Sequence, residues 1–268
     1  MCGANDFQPI FRYERPPEGE IRFRFVSDRY DRSILVCQVC GHFVSHHNMN
    51  MEGMYEGEYA DATYGGDGLR SSFERIMNLP DAHSDNAGRV RALEEFAAPY
   101  FVSSDTSKPR LLDVGSGLGV FPARISKQGW DCVALDPDPR VVDHLRLVAG
   151  VEAVRADFLH AELEPLGTFD VITFNKVLEH VWNPVAMLER ALALLRPHGF
   201  VYVEVPDGEA ARREGFGRQE FFIAHHHSFS AVSLTSMVAR SGLQLISCSR
   251  LREPSSKFTL RAFARAAT

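Results

Sequence analysis

From about residue 110 the chain alternates short apolar runs with segments of helical period. The runs at 110–114, 131–135, 151–155, 169–174 and 200–205 read as strands, and 119–128, 138–147 and 184–195 between them read as helices. Strands separated by helices of this length predict crossover units and a parallel sheet. Val90, Leu93, Phe96 and Ala97 recur at helical spacing ahead of it, before a break at Ser103-Ser104-Asp105. At the other end a helix over 231–241 stops at Gly242. Strands near 243–250 and 257–265 follow, and their short connection through Pro254 predicts an antiparallel pair at one edge. Residues 1–68 differ. They hold many aromatics and glycines (Gly53, Gly57, Gly65, Gly66, Gly68) and little helical period, and alternation in Ile21–Phe25 and Ser33–Val36 predicts short strands. The pattern divides the chain into a small N-terminal unit, 1–68, ending in a loop-rich connector, and an α/β domain, 69–268.

The 268 residues carry a formal net charge of −6 with both signs mixed, and no dense Lys/Arg run occurs. That balance argues against a nucleic-acid backbone as partner. No apolar stretch approaches the ~18 residues of a membrane span. Met1 to Phe11 lack the charged and apolar regions of a secretory signal, so a cytoplasmic protein is expected. Of the cysteines at 2, 37, 40, 132 and 248, Cys132 and Cys248 fall in strands and read as core. A structural disulfide is not expected in a reducing compartment.

The richest signal is Leu111-Leu112-Asp113-Val114-Gly115-Ser116-Gly117-Leu118-Gly119. An apolar strand runs into a glycine turn that opens a helix, so the backbone can bend sharply and approach a ligand. The pattern is G-x-G-x-G, not the dinucleotide G-x-G-x-x-G. A pyrophosphate would be repelled by Asp113, whereas an ammonium or sulfonium would be attracted. The second strand ends at Asp136-Pro137, placed to accept both hydroxyls of an adenosine ribose. After the third come Asp157, able to accept from an exocyclic amine, and Phe158, able to stack on a base. Any one such Asp is equally readable as a helix cap. Together they line the carboxyl rim, where open α/β sheets bind ligands.

These residues, with Phe169-Asp170-Val171-Ile172, Val177-Leu178-Glu179-His180-Val181 and Leu195-Arg196-Pro197-His198-Gly199-Phe200, resemble the successive motifs of class I S-adenosylmethionine-dependent methyltransferases over roughly 88–268. The resemblance implies a Rossmann-like, seven-stranded, mostly parallel sheet with an antiparallel last strand, and S-adenosyl-L-methionine as cofactor. It puts Asp113 at the methionine amino group, with Gly115, Ser116 and Gly117 against the cofactor. Asp136 with Pro137 falls at the ribose, Asp157 and Phe158 at the adenine, and Asn175 near the methionine part. His198 stands where the family usually has Gly, at a turn where no effect on activity is expected.

The Asp/Asn-Pro-Pro-Tyr pattern of amine methylation is absent after the fourth strand, where Asn175-Lys176-Val177-Leu178 stands. That removes base methylation on nucleic acid as the first expectation; with the cofactor constellation, the His-rich loop that follows points to a hydroxyl of a small molecule as the methylated group. General-base candidates are the loop histidines His225 and His227 of His225-His226-His227, and His180. The alternatives are a polar capping loop for the triplet and a loop-orienting role for His180. The stretch through Phe229-Ser230 also resembles sugar and natural-product methyltransferases. Where sugar C-methyltransferases carry Tyr-x-Glu-His, this chain has Phe222, Ala224 and His225, which favours O-methylation with His225 as base. C- or N-methylation, modification of a macromolecule, or cofactor binding without catalysis are the competing readings; oligomeric state is left open.

Cys37-Gln38-Val39-Cys40-Gly41 reads as a metal knuckle, two thiolates on one tight turn. Cys2-Gly3-Ala4 resembles the second half of another. The same relatives carry an N-terminal zinc module, which implies zinc on Cys2, Cys37 and Cys40, with His42, His46 or His47 as an alternative completing ligand. The competing reading is a relic knuckle with free thiols. Met54–Tyr59 resembles the connector of those relatives, with aromatics that can line a pocket or pack on the sheet.

Overall fold

The computed structural model describes residues 1–20, 30–49, 68–101 and 108–267. The strand expected at Ile21–Phe25, the connector with its glycines through Gly66, and the break at Ser103–Asp105 lie outside the described residues. The N-terminal unit contributes β1 (Phe7–Tyr13), β2 (Arg32–Cys37) and β3 (Phe43–His47), paired antiparallel. Only the β2 stretch was marked by alternation.

The α/β region follows as α1 (Gly68–Met77), α2 (Asp85–Ala97), β4 (Arg110–Val114), α3 (Val120–Lys127), β5 (Asp131–Asp136), α4 (Pro139–His144), β6 (Glu152–Arg155), β7 (Phe169–Asn175), α5 (Pro184–Leu194), β8 (Leu195–Pro206) and α6 (Gly208–Glu214). Then come β9 (His227–Ser228), α7 (Ala231–Arg240), β10 (Leu243–Arg252) and β11 (Phe258–Ala266). Seven of these strands form one sheet in the order β10-β11-β8-β7-β4-β5-β6. The pairs from β8 to β6 are parallel, and β11 runs antiparallel between β8 and β10. The α/β sheet with an antiparallel last strand is thus the one expected. The small sheet takes its fourth strand, β9, from far along the chain, where Phe43 pairs with Ser228 and Val44 with His227.

Apolar central strands require cover on both faces. Val90 and Leu93 of α2 pack with Phe121 and Ile125 of α3 on one face. Met187 and Leu188 of α5 pack with Leu234 and Met237 of α7 on the other. Helix starts are locally encoded. Asn183 caps α5 through Ala186 N at 3.1 Å, with Pro184 next. Ser230 and Ser233 form a reciprocal capping box on α7, both bonds at 2.9 Å. Between α2, β8 and β11 lies a buried charge network. Glu204 accepts from Arg89 Nε at 2.7 Å, Arg261 Nε at 2.9 Å and Tyr202 Oη at 2.7 Å. Against the cost of burial, the charges of Arg89, Lys176 and Arg261 and the Tyr202 hydroxyl hold its carboxyl down to about 2.

Candidate active site

The carboxyl ends of β4, β5 and β7 meet at one rim. Parallel pairing sets Asp113 beside Thr173, and Asn175 lies one pleat further along the same face of β7. Asp113 is 2% exposed; its Oδ1 accepts from Thr173 Oγ1 at 2.6 Å and Asn175 Nδ2 at 2.8 Å. Burial pushes its carboxyl up, and these donors pull it back. Asn175 Oδ1 is buried without a hydrogen-bond partner among the described residues. A buried carboxylate beside an orphaned carbonyl is an acceptor-rich corner that fits an ammonium.

The glycine bend makes the complementary point. Gly115 N and Ser116 N both donate to Leu135 O, at 2.8 and 3.1 Å, and Gly119 N donates to Ser116 O at 2.9 Å. Gly117 N donates to Asp136 Oδ2 at 3.0 Å. A phosphate cradle needs such N–H groups aimed outward; here they are spent within the bend. Gly115 (φ +69°) and Gly117 (φ +50°) take left-handed backbone, and a Cβ on Gly115 would stand 2.8 Å from Val177 Cγ2. Asp136 also accepts from Asp138 N at 3.0 Å, and burial raises its carboxyl to about 6. It is therefore ionised at neutral pH, ready to accept hydroxyl donors. Pro137 follows it into the cap of α4, where Asp138 accepts from Arg140 N at 2.9 Å. Asp157 is exposed and accepts from Leu159 N at 2.8 Å. The Phe158 ring is turned into the core, edge-on to Phe174 at 5.6 Å, so packing has claimed the ring expected to stack on a base.

His180 and His225 meet beside this rim, ring centroids 4.9 Å apart. His180 Nδ1 lies 2.8 Å from Ala224 O and His225 Nδ1 2.9 Å from Glu220 O. A carbonyl only accepts, so each Nδ1 carries a proton, and in the neutral ring of His225 that leaves the lone pair on Nε2. Burial, and then the neighbouring His180, hold the His225 pKa well below the ordinary histidine value. Glu179, 1% exposed, joins the pair, and burial raises its carboxyl. Sequence reasoning quoted Glu179 without giving it a role; its place directly before His180 was the available signal. Thr173 was missed too, because its role comes from strand pairing.

His227 is drawn elsewhere: its Nδ1 is 3.0 Å from His42 Nε2. The His226 ring stacks on the exposed Trp182 at 4.0 Å. The N-terminal unit holds this loop directly. Glu20 Oε1 accepts from Ile223 N at 2.7 Å and Arg32 Nη2 at 3.0 Å, and Arg32 Nη1 donates to Phe221 O.

In the same unit the Sγ atoms of Cys2 and Cys37 are 3.7 Å apart, with the Cys40 thiol in the same cluster. Bonds of ~2.3 Å to a tetrahedral zinc would separate its sulfurs by about 3.8 Å. The knuckle closes with Gly41 N donating to Cys37 O at 2.9 Å, and Ser230 Oγ donates to Cys40 O. The alternative of His42 as completing ligand is corrected: its Nδ1 lies 3.3 Å from Ser233 Oγ and its Nε2 faces His227. Among the described residues the cluster stops at three cysteines.

Residues 83–248 match the family described as a methyltransferase domain. Ubiquinone biosynthesis O-methyltransferase of Xanthomonas campestris pv. campestris (strain B100) is 32% identical over 99 residues, 35% of this chain and 41% of that protein. The Xanthomonas oryzae pv. oryzae (strain PXO99A) protein of the same description is 32% identical over 104 residues, 37% of this chain and 44% of that protein. The chain thus spans about two-fifths of the curated relatives it matches. Among solved structures, the 1,6-didemethyltoxoflavin-N1-methyltransferase of Burkholderia thailandensis, with 1,6-didemethyltoxoflavin and S-adenosylhomocysteine bound, aligns at a TM-score of 0.56 and 17% identity. That alignment covers 93% of this chain and all of the other. The CcbJ methyltransferase of Streptomyces caelestis aligns at 0.53 and 17%, covering 76% and 98%. At these identities the structural likeness concerns the fold.

Proposed function

Because the chain belongs to the methyltransferase-domain family, we infer that it moves a methyl group from S-adenosylmethionine to a hydroxyl of a small molecule, a sugar or other natural product, in the cytoplasm. The observation that carries this reading is the acceptor corner of Asp113, Asn175 and Asp136 beside a glycine bend whose N–H groups are internally spent. It suits a cationic adenosyl donor and repels a diphosphate. The domain boundary at 68/69 and the zinc on Cys2, Cys37 and Cys40 belong to the same proposal. The 3.7 Å sulfur separation supports the zinc, as a brace for the unit that holds the histidine loop.

The donor, when bound, supplies an electrophilic methyl on a sulfonium. Asp113 and Asn175 Oδ1 would accept from its amino group, Asp136 would accept from its ribose hydroxyls, and Asp157 would serve its adenine. His225 is neutral at physiological pH and takes the acceptor's proton at Nε2, while Nδ1–H, held on Glu220 O, fixes the ring. His180 orients that loop through Ala224 O. His227, paired with His42, secures the loop rather than reacting.

The test uses methyl-labelled S-adenosylmethionine with a panel of phenols, catechols and sugar nucleotides. Wild type transfers label to at least one hydroxyl. His225→Gln keeps donor affinity and lowers turnover by ~100-fold or more, the usual worth of a general base. Unchanged turnover removes His225 as base. Label on nitrogen or carbon removes the hydroxyl reading.

A further inference from the structure

One donor atom each from Glu179, His180 and His225 lie within 4.8 Å of one another at the carboxyl end of β7. Two imidazoles and a carboxylate are a recurrent set for borderline divalent cations. The supporting hydrogen bonds fit as well. Metal-bound histidines nearly always donate their other ring N–H to an oxygen, and here both Nδ1 groups face main-chain carbonyls at 2.8 and 2.9 Å. An independent observation comes from Glu179. The residue is 1% exposed, and its Oε2 is buried without a hydrogen-bond partner among the described residues. A buried carboxylate oxygen left unpaired carries an uncompensated desolvation cost, and a cation would offset it. Both histidines are only half-buried, so an ion seated there would keep positions open for water or another ligand.

We propose that Glu179, His180 and His225 form a divalent transition-metal site, of the Zn2+ or Co2+ class, separate from the cysteine cluster. This rests on the reading of the same residues as the acceptor-activating group. An ion on Nε2 of His225 takes the lone pair that would otherwise take the acceptor's proton, so the metal and the proton compete for one atom. Filling the site switches base-assisted transfer off.

Co2+ titration of the full chain tests this without any acceptor. Thiolate-bound cobalt gives intense sulfur-to-metal absorption in the near ultraviolet, whereas a Glu-His-His site gives only weaker visible bands. We expect both components in the wild type. Glu179→Gln and His225→Ala should each abolish the sulfur-free component and leave the thiolate component intact. His225→Ala, on a half-buried loop residue, keeps the test open if Glu179→Gln fails to fold. Visible bands that are all thiolate in origin, and unchanged in both variants, overturn the site while leaving His225 free to act as base. The sulfur-free component together with loss of methyl transfer supports both readings. The same component with a rise in transfer keeps the metal site and refutes the base.

Discussion

The glycine bend gives the most decisive single substitution. Gly115→Ala places a methyl at 2.8 Å from Val177 Cγ2 and 3.4 Å from Cγ1, on a backbone at φ +69°. The backbone alone costs about 1–2 kcal/mol for an L-residue. Driving a methyl into a packed side chain adds about 1–3 kcal/mol. The variant should therefore lose about 2–5 kcal/mol in urea unfolding. It should also bind S-adenosylhomocysteine more weakly, since Val177 follows closely on Asn175. Val177→Ala separates the two contributions. In that background the clash is gone, so Gly115→Ala should cost only the ~1–2 kcal/mol of the backbone. The difference is a coupling energy between the two residues. An equal cost in both backgrounds would refute the steric argument, and no cost in either would refute the bend itself.

Three further outcomes follow from other parts of the molecule. Glu204→Leu removes the carboxylate that Arg89 and Arg261 share, leaving them Asn86 and Glu253 respectively, and urea unfolding should show a loss of about 3–5 kcal/mol; a loss under 1 kcal/mol would mean that the remaining partners and water satisfy the arginines. His198 sits at φ +71°, left-handed backbone that its side chain disfavours, so His198→Gly should raise stability by up to about 1 kcal/mol with unchanged turnover in the labelled-methyl assay. Burial, and for His226 also His227, hold His226 and His227 at about 4 in the folded state. Unfolded imidazoles take up protons below ~6.5. The unfolded chain therefore binds more protons in between, and stability, full above that value, should decline as pH falls from about 6.5 towards 4; unfolding midpoints that stay flat across that range would contradict the assigned burial.

How far the sequence could be read depended on whether an element's reason was local. The central strands of the large sheet are apolar because they are covered on both faces, and α5 and α7 carry their caps beside them, so pattern alone located them. β1, β3 and β9 are held by pairing between residues up to nearly two hundred positions apart, and α6 is short and polar; nothing in their own sequences sets them off. At the site, the placement of Asp113, the glycines and Asp136 on one rim was legible, because the strand–turn–helix pattern itself sets it. The burial of Phe158 was not legible, since an aromatic after a strand serves a core as readily as a base. Glu20 and Arg32 were illegible, because their function is to grip Phe221 and Ile223 some 190 or more positions on.

The central claim is that the bend prefers a cationic adenosyl donor, and Asp113→Asn tests it with little change of shape, since Oδ1 can still accept from Thr173 and Asn175. Calorimetry should show wild type binding S-adenosylmethionine and not NAD, with the variant losing about 1.5–3 kcal/mol of donor affinity, the worth of a hydrogen bond to a charged group. Binding of NAD, or donor affinity indifferent to the lost charge, would contradict it.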